Sequence, residues 1–209
     1  LVIGFLIISI ISVSTSINIL ILVASCCFLG YLYQGPPFRF GYQGLGEPLC
    51  WLAFGPFAYS AVLIALNPSN IYFEDIPWKV SLLLGSGPSL ATTLVLFCSH
   101  FHQISEDKKH GKNSPLVRLG AKKGSQFVPW IIFTIYIFQL FTIVYGFIPV
   151  FCILYLLSFP QAIRLINLLK SSYAKPSAIK NCKFVAIKFQ TLNGIGLITG
   201  LIFNYLLNK

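Results

Sequence analysis

The chain has 209 residues, of which 56% are hydrophobic and 10% charged, and its mean hydropathy is +0.79. Soluble domains carry roughly a quarter charged residues, so this balance excludes one and points to an all-α, multi-pass transmembrane helical bundle. The net charge of +10 does not point to nucleic acid either, because the basic residues lie between apolar runs of spanning length.

Taken in order, Leu1 to Ile11 is apolar, Ser12 to Ser16 is a polar turn, and Ile17 to Tyr33 is a second apolar run. There is no methionine, and Leu1 opens inside an apolar run with no basic residues before it. The start is therefore neither a signal peptide nor a translational start, and a chain lacking its N-terminal part is expected. Tyr33 to Glu47, YQGPPFRFGYQGLGE, has paired prolines and four glycines, which cannot continue a helix and predict a loop on the membrane surface. Pro48 suits the first position of a helix running through Trp51 to Leu66, and Asn67 to Pro77 is the next loop, with Glu74 and Asp75.

Trp78 to Ser99, Phe127 to Tyr145, Val150 to Lys170 and a helix ending near Leu207 complete seven expected spans. The last carries Gly196-x-x-x-Gly200, a close-packing signal that serves within a bundle or between subunits. None of the six cysteines forms a CxxC pair, so they read as small side chains among apolar neighbours. His100, His102 and His110 lack the partners of a transition-metal site.

His100 to Gly124, HFHQISEDKKHGKNSPLVRLGAKKG, is the one long polar stretch. If helical, it puts Gln103, Glu106, Asp107 and His110 on one face, at i, i+3, i+4 and i+7. Oxygen donors suited to magnesium thus lie next to Lys112, Arg118, Lys122 and Lys123, cations suited to phosphate oxygens. Charge alone fits two descriptions, a metal-diphosphate site and a solvated basic loop between spans. Topology then bears on the choice. Alternating the spans puts thirteen of the fifteen basic residues (Arg39, Lys108, Lys109, Lys112, Arg118, Lys122, Lys123, Arg164, Lys170, Lys175, Lys180, Lys183 and Lys188) on one side. Lys79, Lys209, Glu74 and Asp75 fall opposite, so the basic side is expected to be cytoplasmic. The Tyr33 to Glu47 and His100 to Gly124 loops then meet above an apolar bundle, a geometry for an amphiphile with a charged head and a long tail. Glu47, Glu106 and Asp107 are the acids on that side.

Tyr33 to Pro56, YQGPPFRFGYQGLGEPLCWLAFGP, and His100 to Gly120, HFHQISEDKKHGKNSPLVRLG, resemble UbiA-type intramembrane prenyltransferases, in their MenA-like naphthoquinone branch. The resemblance covers essentially the whole chain and is strongest to cyanobacterial and plastid phytyltransferases of phylloquinone (vitamin K1) synthesis. It implies one domain over residues 1–209, seven helices of a nine-helix bundle, lacking the first two helices and the first aspartate-rich motif. It further implies transfer of a phytyl or other polyprenyl chain from its diphosphate to a carboxylated naphthoquinone or naphthalene-diol, with loss of carbon dioxide. The host is expected to be a cyanobacterial plasma or thylakoid membrane, with membrane lipid around the bundle and no nucleic-acid partner.

The second acidic motif of the family corresponds to Gln103 to Asp107, making Gln103, Glu106 and Asp107 the implied Mg2+ ligands. Gln103 stands where many relatives have aspartate, so it is a carbonyl ligand or a hydrogen bonder, and Asp107 is the stronger ligand. Lys112, Arg118 and Lys122 would stabilise departing diphosphate, with Asp107, Lys112 and Arg118 as the catalytic set. Arg39 would pair with the acceptor carboxylate or with phosphate, while Tyr33, Gln34 and Tyr42 shape the acceptor end or simply pack at the interface. The rival readings are a UbiA-type enzyme using homogentisate or a hydroxybenzoate, a membrane transporter, and an inactive relative. The charges cluster at helix ends rather than at mid-membrane, which speaks against a transporter.

Overall fold

The computed structural model describes residues 2–67 and 76–209. Within them the chain is helical, with no strand. The acids Glu74 and Asp75 lie outside the described residues, so the loop they were expected to occupy is not characterised. The first apolar run forms α1 (Val2–Ser14), and Ser16 caps α2 (Ile17–Gln34) by accepting the Asn18 N–H at 3.3 Å. Among the described residues six helices are long and apolar enough to cross a membrane, and the chain is an integral membrane protein. The seventh expected span, α1, has 13 residues. That length rises about 20 Å, short of a hydrocarbon core of roughly 30 Å.

The third span begins earlier than expected, as α3 (Gly46–Leu52), with Pro48 inside its first turn. It widens into a π-helical turn at Ala53–Phe57 and continues as α4 (Ala58–Leu66). Pro56 causes the widening: it has no N–H, and its ring crowds the carbonyl one turn back, so the ladder slips by one residue. α5 (Trp78–Ser99) ends in a single 3-10 turn, His100–His102, before α6 (Ile104–Lys109). Most of the polar stretch is therefore helical rather than loop. α7 (Pro115–Val144) starts twelve residues before the expected span and breaks at Gly120, whose φ of +77° and ψ of 157° only glycine adopts readily. Lys122 and Lys123 thus ride on a helix.

The sixth span also differs from expectation. Val150–Ser158 is a long 3-10 segment, followed by α8 (Phe159–Ser172). α10 (Cys182–Leu207), reached through the short α9 (Pro176–Ile179), packs along that segment. Gly196 and Gly200 are the reason it fits. A Cβ on Gly196 would lie 2.1 Å from the Leu154 carbonyl oxygen, and one on Gly200 would lie 2.5 Å from the Cys152 Cα. The small-residue pair therefore packs within the bundle.

The main core joins α5, α7, α8 and α10 through Leu94, Leu116, Val128, Ile135, Leu165 and Phe189. Several buried polar side chains find partners on a neighbouring helix, as a lipid-embedded interior favours. Gln139 of α7 and Asn193 of α10 exchange two amide hydrogen bonds, of 2.6 and 3.0 Å. All six cysteines are free thiols, three of them buried. Large apolar side chains such as Val13, Trp130, Val144 and Ile198 face outward, where lipid is the solvent. Trp130 lies well inside α7 rather than near its end, because the helix starts so early.

Candidate functional site

The two loops expected to share one face interlock there. After α2 the chain folds back on itself, Phe40 N–H bonding the Leu32 carbonyl at 2.9 Å and Gly41 N–H the Tyr33 carbonyl at 2.8 Å. The Asn113 N–H then donates to the Tyr42 carbonyl at 2.7 Å, and the Arg118 guanidinium donates to the Gln43 carbonyl. Gly44 makes this approach possible: its φ is +77°, and a Cβ there would stand 2.7 Å from the Asn113 carbonyl oxygen.

Beneath the clamp lies a row of ionisable groups. His100 is 3% exposed, with Nδ1 3.2 Å from Asp107 Oδ2 and Nε2 3.6 Å from Glu47 Oε1. Lys112 Nζ lies 3.5 Å from Asp107 Oδ1. The backbone sets this row: the Asp107 N–H bonds the Gln103 carbonyl at 2.7 Å, and the Lys112 N–H bonds the Asp107 carbonyl at 2.8 Å. Asp107, buried as it is, has a cationic or hydrogen-bonding neighbour at each oxygen. Glu47 differs, for both of its oxygens are buried without a hydrogen-bond partner.

Two pockets flank the row. A polar one of about 270 Å³ is lined by Tyr42, Gln103, Glu106, Asp107, His110 and Lys112. The four residues placed on one face by spacing therefore do converge, joined by one tyrosine and one lysine. An apolar cavity of about 970 Å³ runs between α1, α2, the α3–α4 span and α5, and Tyr33, Cys50 and Ser99 are among its walls. Gln34 and Arg39 are exposed and line neither pocket, though the Arg39 guanidinium sits 5.7 Å from the Tyr42 ring centroid. Lys122 is exposed on α7, and Arg118 is engaged with the loop backbone.

Among the described residues no group of three His, Cys, Asp or Glu side chains is placed to hold a metal ion by itself. The polar pocket does supply two carboxylates and an amide oxygen, all hard donors. That set fits magnesium, which binds through one or two carboxylates, retained water and the phosphate oxygens of a ligand.

Glu47 and His100 are the residues that sequence reasoning did not place in the site. Fifty-three positions separate them, and no spacing rule links them. The available cue was an acid in the first turn of a membrane helix, which is costly unless it has a task.

Comparison with known proteins gives the family. Residues 1–187 match the UbiA prenyltransferase family. The 2-carboxy-1,4-naphthoquinone phytyltransferase of Synechocystis sp. is 37% identical over 183 residues, 88% of this chain and 57% of that protein. The chloroplastic 2-carboxy-1,4-naphthoquinone phytyltransferase of Arabidopsis thaliana is 38% identical over 191 residues, 90% of this chain and 50% of that protein. The chain thus spans about half the length of the curated relatives it matches. No solved structure matches it.

Proposed function

Because the chain belongs to the UbiA prenyltransferase family, we propose that it serves as a membrane-embedded aromatic prenyltransferase of phylloquinone synthesis. It takes a phytyl chain from phytyl diphosphate and joins it to a carboxylated naphthoquinone or naphthalene-diol, with the carboxyl group leaving as carbon dioxide. The observation that carries this reading is that His100 joins a polar pocket holding Asp107, Glu106 and Lys112 to an apolar cavity walled by Tyr33, Cys50 and its own neighbour Ser99. A diphosphate head and a phytyl tail have that division of polarity. The names of the two relatives support the same donor and acceptor.

Gln103, Glu106 and Asp107 are the residues that would hold Mg2+, which when bound neutralises diphosphate charge and makes it a better leaving group. Lys112 adds a point charge at the same pocket, and His100 and Lys112 fix the Asp107 carboxylate from both sides. Arg118 holds the Tyr42–Gly44 loop against the residues after the pocket, and Lys122, exposed on α7, offers a further cation to attract the incoming diphosphate. Tyr33 and Tyr42 shape the acceptor end, with Gln34 at the loop entrance, and Arg39, stacked near Tyr42, meets the acceptor carboxylate or a phosphate. The polar end faces the cytoplasm of a thylakoid or plasma membrane, as the thirteen basic residues on that side indicate.

The test is a prenyl-transfer assay on membranes holding the complete gene product, with phytyl diphosphate, a carboxylated naphthalenoid acceptor and magnesium, against a chelated control. Magnesium-dependent phytylated product with release of carbon dioxide is the expected outcome. Product with homogentisate alone moves the protein to another acceptor branch, and silence with both overturns the prenyltransferase reading.

A further inference from the structure

Glu47 has no task in the scheme above, and its surroundings argue for one. Its side chain is only 13% exposed, and neither carboxylate oxygen has a hydrogen-bond partner among the described residues. Buried polar atoms are nearly always satisfied, so an unpartnered carboxylate in a membrane helix is destabilising unless a ligand completes it. His100 does not do so: its Nε2 is 3.6 Å from Glu47 Oε1, beyond a good hydrogen bond, and its Nδ1 is held by Asp107 at 3.2 Å.

Its location says what the missing partner is. Gly46 lets the Tyr33 ring come down onto the backbone next to Glu47, since a Cβ on Gly46 would lie 2.7 Å from Tyr33 Cε2. Tyr33 and Cys50, one turn after Glu47, line the apolar cavity, as does Ser99, the neighbour of His100. On the other side, His100, Asp107 and Lys112 lead to the polar pocket. Glu47 lines neither pocket itself but stands between their walls, so a small side-chain movement would bring its carboxyl group to the seam where the first carbon of the prenyl chain must meet the acceptor ring. Of the three parts that come together there, the diphosphate is repelled by a carboxylate and the prenyl tail has nothing to offer it. In its naphthalene-diol form the acceptor ring carries hydroxyl groups, which are hydrogen-bond donors, and its flat face suits the adjacent Tyr33 ring.

We infer that Glu47 is the positioning residue for the acceptor, its carboxyl group receiving a hydrogen bond from a ring hydroxyl group. This rests on the prenyltransferase reading, and the experiment separates the two.

The measurement is equilibrium binding and thermal unfolding of the complete gene product in lipid nanodiscs, as wild type, Glu47→Leu and Glu47→Gln. The probes are 1,4-dihydroxy-2-naphthoate, 2-naphthoate, which lacks the ring hydroxyls, and a thio-diphosphate analogue of the phytyl donor. Wild type should prefer the dihydroxy compound by about tenfold or more, the range of a hydrogen bond to a charged group. Glu47→Leu should lose that preference, keep donor-analogue affinity within about twofold, and unfold without ligand at a temperature no lower than wild type. A purely structural glutamate would lower that temperature. Should Glu47→Leu fail to insert, Glu47→Gln carries the comparison, with the preference reduced about threefold or more because an amide oxygen is a weaker hydrogen-bond acceptor than a carboxylate.

Retained preference in the variants overturns the inference, as does equal loss of donor and acceptor affinity. Wild type that binds the donor analogue but does not distinguish the two naphthoates overturns it while leaving the prenyltransferase reading intact. Wild type that binds neither class of probe overturns both.

Discussion

His100 and Asp107 form the joint of this structure: the imidazole Nδ1 of one stands 3.2 Å from the carboxylate Oδ2 of the other, tying the end of α5 to α6. Because His100 and Asp107 are both buried, the contact fixes the direction in which the carboxylate faces the polar pocket. Lys112 closes the other oxygen, and the Gln103 carbonyl holds the Asp107 backbone. A carboxylate restrained at both oxygens and at its own amide is positioned before any ligand arrives.

The first prediction concerns that carboxylate. Asp107→Asn keeps the shape and still accepts a hydrogen bond through its amide oxygen, so the protein should insert and fold. The negative charge is lost from the pocket, and prenyl transfer should fall by about a hundredfold or more. Glu106→Gln, on an exposed residue at the same pocket, should cost markedly less. Initial rates at saturating magnesium, with membrane-inserted protein quantified by detergent-soluble yield, make the comparison. Equal losses in the two variants would remove Asp107 from its leading role.

The second prediction concerns the clamp above the pocket. Gly44 combines a φ of +77° with a 2.7 Å approach of its would-be Cβ to the Asn113 carbonyl, and the Arg118 guanidinium lies against the same residue. Gly44→Ala is therefore strained in backbone and in space together, costing about 1–3 kcal/mol. Arg118→Ala instead releases the Gln43 carbonyl without strain. Both should free the 40–45 loop, visible as faster hydrogen exchange and proteolysis there, with the rest of the bundle unchanged. If Arg118 acts chiefly through the loop, the two variants should lower transfer by similar factors. A far larger loss in Arg118→Ala, with the loop still protected, would put its charge on the diphosphate.

Several of these relationships were legible in the sequence, and the reasons for the misses are physical. Hydropathy and the one-sided spread of lysine and arginine marked the membrane class and brought the two loops to one end, because bilayer thickness and topology act on composition alone. Spacing put Gln103, Glu106, Asp107 and His110 on one face, because about two turns of one short helix and its caps govern them. The early start of α7 was hidden: Gly120 breaks the ladder, and its lysine-rich first turns read as loop. The 3-10 form of Val150–Ser158 was hidden too, since it depends on close packing against Gly196 and Gly200 of a distant helix. The Glu47–His100 approach, like the polar pair Gln139–Asn193, is a long-range contact that no local pattern encodes.

The third prediction follows from that close packing. A Cβ at Gly200 would stand 2.5 Å from both N and Cα of Cys152 and from the Phe151 carbonyl oxygen, all of them backbone atoms that cannot rotate away. At Gly196 the obstacle is the Leu154 carbonyl oxygen at 2.1 Å. Gly194, two residues earlier, has open space around its Cβ position. Gly194→Ala should thus be neutral or stabilising by up to about 1 kcal/mol, the ordinary helix preference for alanine over glycine. Gly200→Ala should instead push α10 off the 3-10 segment and cost about 1–3 kcal/mol, the range for overpacking. Thermal unfolding of the two single variants in the same detergent reads the contrast directly. If Gly194→Ala and Gly200→Ala shift the midpoint alike, the contact between α10 and Val150–Ser158 is looser than described; if only Gly200→Ala does, the glycine pair is what lets those two segments touch.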